Sequence, residues 1–280
     1  MVPRVSRGAS MPFPDIDPVA FHLGPLAVRW YALGYLFGVL LGAAYGASLL
    51  RRKSLWAANS PPFPAPAIWD FAFWAIIGIV IGGRAGYVLF YNLPLYLAHP
   101  LDIFKLWDGG MAFHGGLVGL LIAVGLFTRS KGGNILSSFD LMAACAPIGI
   151  FLVRCANFIN GELYGRETTL PWGVVFPNGG PNPRHPSQLY EGVLEGLVAF
   201  LLIRFVTHVA YGLRRPGLAA GVFGVWYAIC RIALEFVRIP DPQLGYLFAG
   251  WVTMGQLLSL PLLVAGLGLI AYAYWRKPRA

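Results

Sequence analysis

Seven stretches of mostly apolar residues, separated by short polar segments, constrain this chain more than any other feature. A hydrocarbon layer of about 30 Å is crossed by roughly 20 residues rising 1.5 Å each. The stretches 30–50, 68–91, 111–127, 138–158, 188–207, 217–237 and 252–274 have the required length and character. Only 12% of the 280 residues are charged and 57% are hydrophobic, which leaves too little polar surface to coat a soluble globule of this size. The expected fold is an all-α integral membrane protein of seven transmembrane helices, with residues 1–280 forming a single polytopic domain. No fixed-period repeat and no matched pair of broken helices stands out, which argues against a transporter built from inverted repeats.

Loop charges give an orientation. Arg51, Arg52, Lys53, Arg129, Lys131, Arg204, Arg214, Arg215, Arg276, Lys277 and Arg279 fall on one side, in plain basic clusters, eleven in all. Eight others, Arg4, Arg7, Arg29, Lys105, Arg154, Arg166, Arg184 and Arg238, fall on the opposite side, those after Arg29 within motif-like sequence. The first side is read as cytoplasmic, which places the amino terminus outside, the carboxyl terminus inside, and residues 107–116, 154–187 and 238–250 at the outer face. The net charge of +9 then reflects loops and anionic headgroups, and no nucleic-acid partner is expected. Residues 1–29 form an outer amino-terminal segment. No cleaved signal peptide is expected, because the first apolar run is long enough to span. The Gly-, Pro- and Asn-rich stretch 165–186 reads as an ordered loop or small cap. Cys145, Cys155 and Cys230 show no CxxC spacing, so no disulfide framework and no metal site is expected, and the three thiols read as packing residues.

Ionisable residues inside the spans are Arg84, Asp140, Arg154, Glu191, Glu195, Arg231 and Glu235. At about 3 kcal/mol each on insertion scales, seven facing lipid would cost on the order of 20 kcal/mol, so as a group they require a polar cavity inside the bundle. Spacing shows which helices line it. Tyr227, Arg231 and Glu235 recur every four residues on one face of the sixth segment, Gln188, Glu191 and Glu195 form a stripe on the fifth, and Arg154 and Asn157 lie one turn apart at the end of the fourth. Near the start of the third, His114 precedes Gly115 and Gly116, where small residues and free N–H groups would let an anionic headgroup approach, or would simply pack helices.

The motifs HGG (114–116), RCANFINGELYGR (154–166), RHPSQLYE (184–191) and YAICRIALEFVRIPD (227–241) together resemble the bacterial prolipoprotein diacylglyceryl transferases. The resemblance extends to RWYALGYL, to GGRAGYVLFYN (82–92) and to MGQLLSLP (254–261), and so covers nearly the whole chain. It implies a multi-pass enzyme of the bacterial inner membrane with residues 1–29 and 165–186 in the periplasm. Such an enzyme transfers the diacylglyceryl group of phosphatidylglycerol to the lipobox cysteine of a prolipoprotein signal peptide, yielding a thioether and glycerol phosphate, with no cofactor and no metal. By motif position, Arg154 and Arg231 would hold the phosphate with Asn157, Gly115 and Gly116, and His114 would be the base or would orient the headgroup. Tyr31, Asn160, Glu162, Gly165, Tyr227 and Glu235 would support them. Val153 departs from the family pattern, which usually has glycine directly before the motif arginine. On residue chemistry alone, a lipid or anion transporter with a buried basic site is the alternative.

Overall fold

The computed structural model describes residues 11–239, 246–248 and 252–276. Arg4, Arg7, Pro240, Asp241, Lys277 and Arg279, all used in the sequence reading, lie outside them.

The chain opens with a two-residue strand β1 (Met11–Pro12) and a hairpin of β2 (Val19–Leu23) and β3 (Leu26–Arg29), which turns at Gly24 with φ of +58°. Helix α1 (Trp30–Arg51) follows, then α2 (Ile68–Phe90), the short α3 (Leu93–Ala98), α4 (Phe113–Ser130) and α5 (Ile135–Ile159). After β4 (Val174–Val175) comes a single helical rod in three parts: α6 (Ser187–Glu191), a wide π-type turn (Gly192–Val198) and α7 (Ala199–His208). The chain continues with α8 (Leu218–Leu234), β5 (Tyr246–Phe248), β6 (Val252–Thr253) and α9 (Met254–Trp275). The protein is thus mostly helical, and each apolar segment of the sequence falls on helix. Among the described residues, four helical stretches, Trp30–Arg51, Ala65–Phe90, Ile135–Ile159 and Met254–Trp275, are long and apolar enough to cross a membrane, while α4 and α8 are shorter apolar helices. Among the described residues, three two-stranded ladders add what the all-helical expectation omitted: β1 with β4, β2 with β3, and β5 with β6.

The helices pack in close pairs, with α2 against α4, α8 against α9 and α1 against α5. Between α2 and α4 the backbones nearly touch: a Cβ on Gly82 would lie 2.7 Å from the Gly119 Cα, and one on Gly86 would lie 2.9 Å from the Gly115 Cα. Without side chains between them, the two helices gain dispersion contact that lipid tails cannot match. Large apolar side chains point the other way. Phe73, Trp74, Ile81, Leu126, Phe205 and Val264 are exposed, as helices solvated by hydrocarbon require.

One end of the bundle is closed by Trp56, Phe63, Phe71 and Phe127, packed with Leu49, Leu50 and Leu213. Here Arg214 donates to the Ser54 carbonyl at 3.0 Å, bringing together two of the basic segments that the sequence reading assigns to one side. At the other end, Phe13 packs at a tilt against Phe158 and Phe176 beside the β1–β4 ladder, so residues 11–13 and the 165–186 loop sit together over the end of α5.

Two helix starts are capped by buried polar side chains. Asp140, on α5, accepts the backbone N–H of Gly217 at 2.7 Å and of Ala220 at 2.8 Å, supplying from a neighbouring helix the cap that α8 lacks in its own sequence. Helix α9 begins with a capping box between Thr253 and Gln256.

Candidate functional site

At the end of the bundle beneath the 165–186 loop, three arginines meet two carboxylates. Glu191, at the end of α6 and with no exposed surface, is the shared partner. Its Oε2 lies 2.6 Å from Arg154 Nε of α5 and its Oε1 lies 3.5 Å from Arg231 Nη1 of α8, while Arg238, in the turn after α8, also pairs with Oε1. Arg231 reaches Glu235 at 2.7 Å, and Arg238 Nε lies 3.3 Å from the same carboxylate. Thr253 donates to the other Glu235 oxygen at 2.8 Å. Side chains from α5, α6, α8 and the β6–α9 junction therefore converge on one charge cluster.

Backbone ties hold the cluster in place. Arg166 donates to the carbonyls of Arg238 at 2.7 Å and Glu235 at 3.1 Å, clamping the turn that carries both. Gly165 forms a bridge with Arg238 and donates to the His185 carbonyl at 2.8 Å; a Cβ there would collide with the Val237 carbonyl and with His185. Only glycine lets these three strands of chain approach so closely. Two amides extend the network: Arg154 Nη1 donates to Asn157 Oδ1 at 3.5 Å, and Asn157 and Asn160 donate to Glu162 Oε1 at 2.8 and 3.3 Å.

Two cavities flank the cluster. One, of about 610 Å³ between α1, α2 and α5, is lined by Tyr31, Tyr35, Arg154, Asn157 and Tyr227 together with apolar side chains. The other, of about 1190 Å³, is more polar and is lined by His114, Asn160, Glu162, Arg231, Glu235 and Arg238. Tyr227 and Arg231, four residues apart, thus open to different cavities. The sequence reading placed both arginines around one headgroup; in the structure they share a carboxylate but face separate chambers, with Leu163 bordering both. Nearby, the Tyr31 and Tyr35 hydroxyls are 3.1 Å apart.

His114 is exposed and stands where the polar cavity meets an apolar groove of about 1260 Å³ running along α2 and α4. Gly115 and Gly116 pack against α2, Gly115 on Gly86 and Gly116 on Ile79, so the glycines beside His114 serve helix contact here. His185, the other histidine of the motifs, sits apart: its Nδ1 is 3.3 Å from the Tyr190 hydroxyl, and burial lowers its basicity. The three cysteines are unbridged.

Two of the seven ionisable residues expected to line one cavity do structural work elsewhere, Asp140 as the α8 cap and Arg84 in the loop before α4. Conversely, Glu191 and Arg238 belong to the cluster although motif position gave them no role. Arg238 had a readable signal, since it lies three residues after Glu235 and seven after Arg231. Glu191 had only its place on the fifth-segment stripe, because its partners come from other helices.

Residues 18–272 match the family model for prolipoprotein diacylglyceryl transferase. Curated proteins of Brucella canis, Brucella ovis and Brucella suis biovar 1, each named phosphatidylglycerol–prolipoprotein diacylglyceryl transferase, are 53% identical to the chain over 280 residues, covering all of it and 98% of each relative.

Proposed function

Because the chain belongs to the prolipoprotein diacylglyceryl transferase family, we propose that it moves the diacylglyceryl group of phosphatidylglycerol onto a prolipoprotein cysteine thiol, the first step of lipoprotein maturation. The sulfur attacks the glyceryl carbon, the carbon–oxygen bond to phosphate breaks, the electron pair leaves with that oxygen, and glycerol phosphate departs from a new thioether.

The observation that carries the residue assignment is the convergence of Arg154 and Arg231, from separate helices, on Glu191. A phosphodiester seated at the border the two cavities share, beside Leu163, reaches Arg231 from the polar cavity and Arg154 from the smaller one, and replaces carboxylate contacts rather than drawing bare cations out of water. As charge grows on the departing oxygen, these half-buried donors stabilise it where screening by water is weaker than in bulk. A free thiol, with a pKa of about 8.5, is only a few per cent ionised near neutrality, so its proton needs an acceptor. His114 takes that role, at the lip between the apolar groove, which suits acyl chains, and the polar cavity, which suits the headgroup. Asn157, Asn160 and Glu162 orient the arginines and the substrate, Tyr31 and Tyr227 wall the smaller cavity beside Arg154, Glu235 aims Arg231, and Gly165 holds the turn beyond it.

The chain lies in the bacterial inner membrane with seven spans, its amino terminus and the 165–186 cap in the periplasm and its carboxyl terminus in the cytoplasm. The meeting of Arg214 with the 51–54 segment at one end, and of β1 with β4 at the arginine end, supports this orientation. The thiol donor is then a signal peptide presenting its lipobox cysteine at the outer leaflet.

Purified protein supplied with phosphatidylglycerol and a lipobox peptide should give a peptide heavier by one diacylglyceryl group, read by mass spectrometry. A folded preparation that leaves the peptide mass unchanged refutes the assignment.

A further inference from the structure

Arg84 is a cation in the interior of α2, only 5% exposed, and takes no part in the cluster around Glu191. A guanidinium has five N–H donors in one plane. All five are used, and all on backbone carbonyls of the loop before α4: Nε to Ile103 at 2.8 Å, Nη1 to Gly109 at 2.5 Å and Gly110 at 3.1 Å, and Nη2 to Asp102 at 2.6 Å and Lys105 at 3.1 Å. The Tyr96 ring covers the guanidinium at 5.2 Å. The Asp102 carboxylate is paired with Lys105 at 2.6 Å instead. Carbonyl dipoles thus compensate the Arg84 charge.

The loop is shaped to make this possible. Gly109 and Gly110 adopt φ of +78° and +83°, turning their carbonyls back onto the guanidinium, and a Cβ on Gly110 would stand 2.8 Å from Nη1 and closer still to the Tyr87 ring. Two residues later the Ala112 N–H bonds the Gly83 carbonyl at 2.9 Å, and α4 begins at once with Phe113 and His114. Three residues, 111–113, separate the last guanidinium contact from His114, and the middle one is pinned.

We propose that Arg84 is a positioning residue for the transfer reaction: by stapling the 102–110 loop to α2 it fixes where α4 starts, and with it where His114 stands at the lip of the polar cavity. The proposal rests on the reading of His114 as the group that receives the thiol proton. Lysine cannot replace the staple, since one ammonium with three donors on a flexible stem cannot reach five carbonyls spread over nine residues of chain. A small displacement of a proton acceptor slows the chemical step and leaves the lipid site, built on α5, α6 and α8, intact.

The test compares wild type, Arg84→Lys and Arg84→Gln in lipid nanodiscs, with phosphatidylglycerol and a lipobox peptide as substrates and amide hydrogen exchange as the structural probe. In both variants kcat should fall about tenfold or more while KM for phosphatidylglycerol stays within about twofold. Exchange should quicken over residues 100–116 and remain at wild-type protection in α5 and α8. Gly110→Ala, which leaves the arginine in place but crowds its Nη1 contact, should reproduce the loss in kcat and keeps the question decidable if the Arg84 variants fail to accumulate. Unchanged kcat in these proteins overturns the proposal, as does a rise in KM that accounts for the lost activity, or faster exchange throughout the bundle. Failure of the wild type to form the thioether product in the same assay would instead defeat the functional reading itself.

Discussion

Arg231 touches two carboxylates at once, Glu191 at 3.5 Å and Glu235 at 2.7 Å, and its planar fork makes that possible. Lysine would keep the charge and lose the second contact, along with bidentate hold on a phosphate. Arg231→Lys is therefore expected to lower kcat/KM by at least about tenfold, equivalent to roughly 1.4 kcal/mol of transition-state stabilisation, in the mass-shift assay run as a time course. Wild-type rates would show that charge alone suffices. At this scale the sequence is informative where partners are local: the spacing of Arg231 and Glu235 already implies a pair on one helix. It is uninformative where they are not. Nothing in the order of residues marks Glu191 as common to arginines from α5 and α8, and nothing separates Arg84 and Asp140, which hold backbone, from the charged residues of the cluster.

Among the helices, α8 takes its cap from elsewhere. Removing the Asp140 carboxylate leaves the buried N–H of Gly217 and the part-buried N–H of Ala220 without their acceptor, so Asp140→Ala should cost about 2 kcal/mol, seen as a lowered thermal unfolding midpoint in detergent. The seam between α2 and α4 is a second sensitive contact. Gly82→Val would drive a branched side chain into the Gly119 backbone, and a destabilisation of about 3 kcal/mol is expected in the same measurement, against a near-silent Gly125→Ala on the open side of α4. Hydropathy located the helices well, because lipid demands long apolar runs, but not their ends. The sixth apolar segment runs on to 237 in the sequence, whereas α8 stops at Leu234, since Arg166 and Gly165 bind the next residues as a turn. The wide turn at Gly192–Val198 was equally invisible, since neither its glycines nor Glu195 distinguishes a wide turn from an ordinary helical one.

For the molecule as a whole, the basic clusters and the closed aromatic end predict a definite sidedness. Single cysteines introduced in a background lacking the three native ones should label from the cytoplasmic face at Ser54 and Ser130, and from the periplasmic face at Thr168. Labelling of all three from one side would rule the orientation out. The hairpin of β2 and β3 went unread, because a few alternating residues within a proline-rich segment carry little signal, and the β1–β4 pairing joins residues more than 160 apart in the chain. The α2–α4 pair has a wider consequence. Its helices meet backbone to backbone, so no rotamer change can ease one past the other, and they form a single panel. That panel borders the chamber beside Arg154 through Phe71 and Ile76, and the chamber beside Arg231 through Tyr87 and His114. The two rooms share a wall, and the same pair of helices sets the shape of both.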